Sequence, residues 1–522
     1  GKMEADIILL SDSIFMARNG EAHANPGAIA IRGNRIIKVG DRVTVNSFKG
    51  GGTKVYDLGA RTVCPGFIDN HQFFTGFALK RWGPDVTGAR AENALEILKK
   101  YASGLSPERT VVGHGLSVEG WSEKEKSGQM LDREFGSRPV AVFTPDRDFC
   151  WMNRAAENKY GFSPDECYAE ATWKLLRELL ESEEEITAQY ASYQTMLASR
   201  GVTAAKEIGF DDYSGFTQIL AKLENEHKLT HRVNLVSQPV ARAADFDYLT
   251  RCREKFTGEF VRCMGLNIMI DGEIDSFEGD LLAPYASKPE LRCGMKVDYQ
   301  AVEKTVLRAD REGFRVALHA EGDAAVKRCV DIFEACVRQN GKRDSRHAIV
   351  DLEIADPDDL KRMAALDVTA INYLQIMNCY PSYGAFHPEE YFSPDKIKNV
   401  WQYRRMIDSG VNICCGTDLP LDEPDIPLSA YFAEARLFPD GSPRGGFNKE
   451  QAITTAEVLR SWTSAGQYVN FEEKRLGMLE EGMLADIAVL DCDLFALPIE
   501  RLREAKVCLT LSDGRVVYDT VS

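Results

Sequence analysis

The sequence predicts an α/β protein: a barrel of parallel strands joined by crossover helices, with a smaller satellite sheet contributed by both ends of the chain. Three observations predict it. Apolar, β-rich runs alternate with helical stretches through the middle of the chain, the pattern of parallel strands with crossovers. Short apolar runs broken by turn residues occupy both termini. The length of 522 residues exceeds one small core and calls for a large domain plus a satellite.

The elements follow in order. From Ala5 to about Leu58 the runs ADIILLSDSIF, GAIAIRGNRIIKVG and TKVYDLG, punctuated by GN and GG, read as an antiparallel sheet. At the other end ADIAVLDCDLF and VCLTLSDGRVVYD read the same way, so the satellite is expected over 3–62 and 474–522, closing around a barrel over 63–473. The barrel opens on VCPGFIDNHQFF, Val63 to Phe74, an apolar run ending in a polar cluster and an imidazole. Such a run is a buried strand that delivers His71 at its carboxyl end. Further strands are expected in RTVVGHG, RPVAVFTPD, GVTAAKEIG, HRVNLVSQPV, GLNIMIDGE, FRVALHAEGD, RHAIVDLEI, DVTAINYLQ and VNICCGTDLP. Their number slightly exceeds a barrel's eight, so one or two belong to an insertion. The segment around 76–169, rich in aromatics and turn residues, reads as an elaborated connection near the site. A long helix is expected from Thr172 to Ser199, its acidic runs forming a solvated face. Others follow His319 and Asp351.

Composition bounds the function. An apolar fraction of 44% and a charged fraction of 27% are those of a soluble globular chain. A net charge of -17 with no basic block excludes nucleic-acid binding through phosphate contacts. No 18-residue apolar run and no signal-peptide pattern is present, so no membrane span is expected and the location is read as cytoplasmic. Thirteen cysteines without CxxC spacing read as reduced, mostly buried thiols. Cys150 has no histidine near it in sequence to activate it as a nucleophile.

Five polar residues end apolar strands: His71, Lys206, His319, Asp351 and Asp418. A lone buried histidine is more often a core residue, but two histidines and two carboxylates converging at a barrel mouth form a cluster that a divalent cation stabilises. Lys206 is costly at such a position unless paired or chemically altered. It either pairs with Glu207 or Asp418 or carries a carbamate formed with CO2. Asp418 either holds a metal and takes a proton from activated water, or caps the following helix.

VCPGFIDNHQ, HAEGDAAV, RHAIVDLEIADPDDL, GTDLPL and the stretch from ITTAEVLRSW to LEEGMLADIAVLDCDL resemble the amidohydrolase superfamily, in its branch of YtcJ-like and N-substituted formamide deformylase-like proteins, over about Ala5 to Asp519. The resemblance implies a distorted (β/α)8 TIM barrel, a composite β-sandwich domain from both termini, and hydrolysis by metal-activated water. It places His71 and His319 among the metal ligands and Asp418 at the last-strand aspartate. It sets Lys206 on the strand of the bridging or carbamylated ligand. Three positions depart from the pattern: Phe73 replaces the second histidine of His-x-His, Asp351 a histidine, and Asp148 a further histidine upstream of Trp151 and Asn153. Carboxylate for imidazole moves the ligand set from Zn toward Mn or Fe, and one ion is expected more readily than two. Asp351 is then a substituted ligand or a proton carrier.

Asp271 and Glu273 lie in the region of a substrate-facing loop of the relatives, and His114 and Tyr373 are candidates to line the pocket. The expected function is metal-dependent hydrolysis of a small cyclic or N-acyl amide or imide, with Asp418 and Asp351 as catalytic groups and a small molecule as partner. Two alternatives stay open: ring opening of a cyclic 1,3-diketone by the same groups, and a metal-free relative that only binds. Barrel proteins of this kind often pair, so a homodimer is the expected assembly.

Overall fold

The computed structural model describes residues 3–168, 171–209, 216–239 and 242–522. The amino-terminal strands are β1 (Ile7–Ile14), β2 (Asn25–Arg32), β3 (Arg35–Gly40), β4 (Lys54–Asp57) and β5 (Thr62–Pro65). After them come β6 (Phe67–Gln72), an insertion carrying β7 (Val111–His114), β8 (Val140–Phe143) and β9 (Cys150–Met152), then β10 (Val202–Gly209) and β11 (Arg232–Ser237). The chain continues through β12 (Val261–Met269), β13 (Arg315–Ala320), β14 (Ala348–Asp351), β15 (Thr369–Asn372) and β16 (Ile413–Cys415) to β17 (Ile487–Leu490), β18 (Val507–Ser512) and β19 (Arg515–Asp519).

Strands β6 and β10 to β16 make the barrel, every neighbouring pair parallel. The two surplus strands of the sequence reading are β7 and β8, which with β9 form a separate three-stranded sheet in the insertion. That sheet has its own apolar core, with Leu98, Val111, Trp121, Val140 and Trp151. All residues of β6, β10, β11, β13, β15 and β16 are buried, as expected where helices or packing cover both faces of a parallel sheet.

The barrel closes where β6 meets the end of β16. Asp418 donates its backbone N–H to the carbonyl of His71 at 2.8 Å, and Phe73 donates to Leu419 at 2.9 Å. Asp69 sits across the same seam. Its carboxylate accepts from the backbone of His71 (3.1 Å), the backbone of Thr417 (3.0 Å) and the Thr417 hydroxyl.

The satellite is one eight-stranded sheet in the order β19-β18-β17-β5-β1-β2-β3, with β4 also pairing β1. Strand β5 lies between β1 and β17, so the two ends of the chain share a ladder. Side chains of both halves meet in one core, among them Ile7, Ile29, Val63, Ile487 and Leu509. The single helix expected from Thr172 to Ser199 is two, Trp173–Leu179 and Glu183–Ser199. Ser182 accepts from the Glu185 N–H and caps the second helix, and that competes with helix continuation. Residues 169 and 170 of the acidic stretch lie outside the described residues.

A buried ion pair ties barrel to satellite. Arg232, the first residue of β11, donates to Asp486 at 2.9 and 3.1 Å and to Asp513 at 2.9 Å. Breaking such a pair from one side leaves a buried charge unmatched. Arg232→Leu is therefore expected to lower unfolding stability by about 3–5 kcal/mol, read from urea denaturation; an unchanged midpoint would refute the role of this contact.

Candidate active site

The strands deliver residues at or just beyond their carboxyl ends to one mouth. His71 comes from β6, His319 from β13, Asp351 from β14, Tyr373 from the residue after β15, and Asp418 from three residues beyond β16. His71 Nε2 stands 3.4 Å from Asp418 Oδ1, and His319 Nε2 stands 3.2 Å from Asp351 Oδ2. The rings of His71 and His319 lie 6.2 Å apart between centroids, with the Tyr373 ring 5.6 Å and 6.2 Å from them.

Local backbone geometry sets the two carboxylates. Asp351 has φ 83°, the following Leu352 has φ 53°, and Asp418 has φ 56°. Aspartate enters this left-handed region more readily than most residues, but each instance costs about 1–3 kcal/mol unless the surroundings impose it. Here they do: Leu352 donates to the Ala320 carbonyl at 3.0 Å and Asp418 to His71. Gly416 is needed for the approach, because a Cβ there would stand 2.6 Å from the His71 Cβ.

Burial lowers the pKa of His71, outweighing the hydrogen bond to Asp418, so its imidazole is held in the neutral form that can ligate. Burial also opposes charge on His319, but Asp351, Asp418 and Asp271 outweigh it and raise His319 to about 9. Several buried polar atoms in this interior have no hydrogen-bond partner: Nδ1 of His71, Nδ1 of His319, the Tyr373 hydroxyl and the Lys206 Nζ. Buried polar atoms are normally satisfied, so such a concentration marks a place built for a ligand. The donor set also fits a divalent cation. Two donors each about 2.1 Å from one tetrahedral ion stand about 3.4 Å apart, the spacing of both histidine–carboxylate pairs. Ligand atoms of His319, Glu321 and Asp351 lie within 4.8 Å of one another.

The other predicted residues fall into place unequally. Lys206 lies inside the barrel on β10, fully buried, and pairs with neither Glu207 nor Asp418. Burial, then the nearby Arg315, drive its pKa well down. Arg315 and Cys414, its electrostatic neighbours, precede His319 and Asp418 by four residues on their strands, so Lys206 stands one layer beneath the mouth and acts on His71 from there. Asp418 caps no helix: the helix that follows, Ile426–Ala435, is capped by Asp425.

Asp271, expected to face substrate, instead spends both oxygens on backbone, accepting from Glu321 (2.9 Å), Gly322 (2.9 Å) and Asp280 (2.8 Å). It shapes the loop after His319. His114, expected to line the pocket, sits in the insertion sheet, where its Nε2 donates to the Trp82 carbonyl at 2.8 Å and burial lowers it to about 4. Glu273 is at the mouth, and burial together with Asp275 pushes it up to about 7. Asp148 accepts from the Thr144 hydroxyl at 2.7 Å, and burial and Asp146 raise it. Phe73 turns its ring edge-on to His71 at 5.3 Å, packing where a ligand was expected. Cys150 is buried and its thiol is pushed far up by burial, which rules out a reactive thiolate.

Glu321, Glu353 and Asp275 were missed by the sequence reading. A signal was present: an acid follows His319 by two residues, as another follows Asp351. With Ala320 paired to Asp351 across β13 and β14, the two acids become neighbours. A second cluster, Asp310, Cys336 and His347, is structural: His347 Nε2 donates to Asp310 at 2.8 Å, and Nδ1 accepts from the Val316 N–H at 3.0 Å, so both ring nitrogens are used.

Beside the site, Glu207 anchors the turn that follows His71. It accepts from the Phe74 N–H at 2.7 Å and the Tyr193 hydroxyl at 3.0 Å. Burial pushes its carboxyl up to about 8 despite those bonds.

The sequence pattern of the amidohydrolase family matches residues 54–518. The putative amidohydrolase YtcJ of Bacillus subtilis is 22% identical, with 90% of this chain and 91% of that protein covered. The N-substituted formamide deformylase of Arthrobacter pascens is 23% identical, with 96% of each covered. Among solved structures, an uncharacterized metal-dependent hydrolase from Pyrococcus horikoshii superposes with a TM-score of 0.77 at 20% identity, covering 95% of this chain and 99% of that one.

Because Glu207 keeps its proton in the folded state up to about pH 8 and an unfolded glutamate releases it near 4.3, folding binds a proton across that window, and stability falls as pH rises through it. Glu207→Gln keeps an acceptor for Phe74 and removes the titration. Melting curves from pH 5 to 8 should slope down less steeply for the variant than for the parent; parallel profiles would refute the assignment.

Proposed function

The chain belongs to the amidohydrolase family and is a hydrolase; on that premise we propose that it cleaves a small cyclic or N-acyl amide or imide with the help of one divalent cation. The observation that carries this reading is the pair of histidine–carboxylate contacts, His71 with Asp418 and His319 with Asp351, at 3.4 and 3.2 Å across one barrel mouth. His71, His319, Asp351 and Asp418 are the residues that would hold the cation, and Phe73 removes a donor that a second ion would need. When bound, the cation supplies a water that is acidic near neutral pH and a polarised substrate carbonyl.

The chain's own residues do the rest. Asp418, partly open to the mouth, takes the proton of the attacking water on its carboxylate and returns it to the leaving nitrogen. Its left-handed backbone, fixed by the bond to the His71 carbonyl, holds that carboxylate in place for both transfers. Tyr373, with its hydroxyl unpartnered, is positioned to donate to a substrate oxygen. Burial pushes the Lys206 amine toward the neutral form that adds CO2, and a carbamate there would place an anion under His71. The expectation of hydrolysis at an amide also accords with what the name of the Arthrobacter relative says of that protein.

Protein purified without chelator is expected to carry about one equivalent of Mn, Fe or Zn by elemental analysis, and to hydrolyse members of a panel of lactams, cyclic imides and N-formyl amines. Asp418→Asn should keep more than half of the metal and lose at least about 100-fold in kcat. A fully active variant would sink the proton-transfer role, and a metal-free protein the whole reading.

A further inference from the structure

Beyond the groups already placed, the inner face of the barrel holds a further acceptor that nothing in the chain answers. Asn267 of β12 stands opposite Ala317 of β13, and Met269, two residues on, stands opposite His319. Successive residues of a strand alternate between its faces, so Asn267 and Met269 share the face that His319 presents to the mouth. Ala317 belongs to the inner apolar cluster of Val350, Ile371 and Tyr373, which places Asn267 inside the barrel, one inward-facing residue beneath the level of His319. Met269 above it is 43% exposed, so the mouth is open over this strand.

Asn267 is fully buried, and its Oδ1 has no hydrogen-bond partner. Its amide nitrogen donates to the side-chain carbonyl of Gln238 at 2.7 Å. Gln238 follows the last residue of β11, which flanks β12 on the side away from β13. The two ends of a carboxamide diverge, so with the nitrogen tied toward β11 the oxygen turns from that strand, and the methyl of Ala317 leaves room on the other side. The chemistry of this atom selects its ligand, because an amide oxygen can only accept. A buried acceptor left unpaired is costly, and a site that contains one rejects a ligand that brings no donor.

We propose that Asn267 is a specificity-determining residue whose Oδ1 receives a hydrogen-bond donor of the substrate, a ring N–H or a hydroxyl, and so selects ligands that carry one. The identification of that ligand as substrate rests on the hydrolase reading; the acceptor site itself does not. Two matched pairs test it by titration calorimetry of the metal-loaded Asp418→Asn protein, from which the proposed proton carrier has been removed. One pair is 2-pyrrolidinone and γ-butyrolactone, whose ring oxygen replaces the N–H; the other is 3-hydroxycyclohexanone and cyclohexanone. In at least one pair the donor-bearing member is expected to bind at least about tenfold more tightly, the first pair identifying an N–H and the second a hydroxyl. Asn267→Leu in the same background should bring the members of that pair level, whereas Asn267→Asp, which keeps an oxygen in place, should retain the preference. Each ratio is taken within one protein, so a general loss of stability does not imitate the effect. A preference that survives Asn267→Leu would overturn the proposal, as would loss of metal from Asn267→Leu at parent melting temperature, the mark of a metal ligand. Equal binding within both pairs with Asn267 in place overturns it even where Asn267→Leu does not fold.

Turnover by the parent protein then separates the two readings. Equal binding within both pairs, together with hydrolysis of any member of the lactam, imide and N-formyl amine panel, removes the acceptor site and leaves the hydrolase. Donor-dependent binding with no hydrolysis of any member leaves the acceptor site and removes the hydrolase.

Discussion

The seam between β6 and the end of β16 is the constraint on which the rest depends. A parallel barrel has no free edge only if its first and last strands meet, and here they meet through residues that also line the candidate site. The carbonyl of His71 holds the backbone of Asp418, while Asp69 grips the backbones of His71 and Thr417 with one carboxylate. Closing the barrel and setting the distance between the His71 imidazole and the Asp418 carboxylate are one act. This is why Gly416 has no side chain to give, and why Asp418 accepts an unusual backbone conformation.

The barrel interior shows the reverse of ordinary packing. Its outer layer is apolar and closely packed, with Phe67, Phe74 and Val202 in the main core. Its inner face carries Lys206, His71, His319 and Tyr373 with polar atoms that nothing in the chain satisfies. Each such atom is costly by itself. Their concentration on neighbouring strands turns a set of individual penalties into a preorganised polar cavity, which a bound ligand relieves.

Much of this was legible in the sequence, for definite reasons. Parallel buried strands announce themselves as continuous apolar runs, so all eight barrel strands and most satellite strands were readable; β5 was not, because Val63 to Pro65 runs without a break into the first barrel strand, yet it pairs with β1 and β17 in the satellite sheet. Residues that end such runs, His71, His319, Asp351 and Asp418, were readable as a converging set. What was not legible depends on side-chain direction and register. Asp271 looked like a pocket residue because it follows a strand, yet its oxygens turn back to the backbone of Glu321 and Gly322. Lys206 looked like a strand-end residue, yet it stands a layer deeper. Glu353 became visible only when β14 was set against β13. The break of the long helix at Ser182 turned on a single capping bond, below the resolution of periodicity.

The threading of the satellite has a consequence for synthesis. Cys64 lies opposite Ala488 in the ladder of β5 and β17, so the amino-terminal strands emerge from the ribosome long before the strand that flanks them. Until then β5 presents an open edge, which invites pairing with other chains, and the barrel must form while its base lacks the acids, Asp486 and Asp513, that hold Arg232. Non-local closure of this kind makes folding slow and leaves partly formed chains exposed. The residues that seal both parts are thus made long after the strands they complete, and a nascent chain stopped before them keeps an open strand edge and an unmatched arginine.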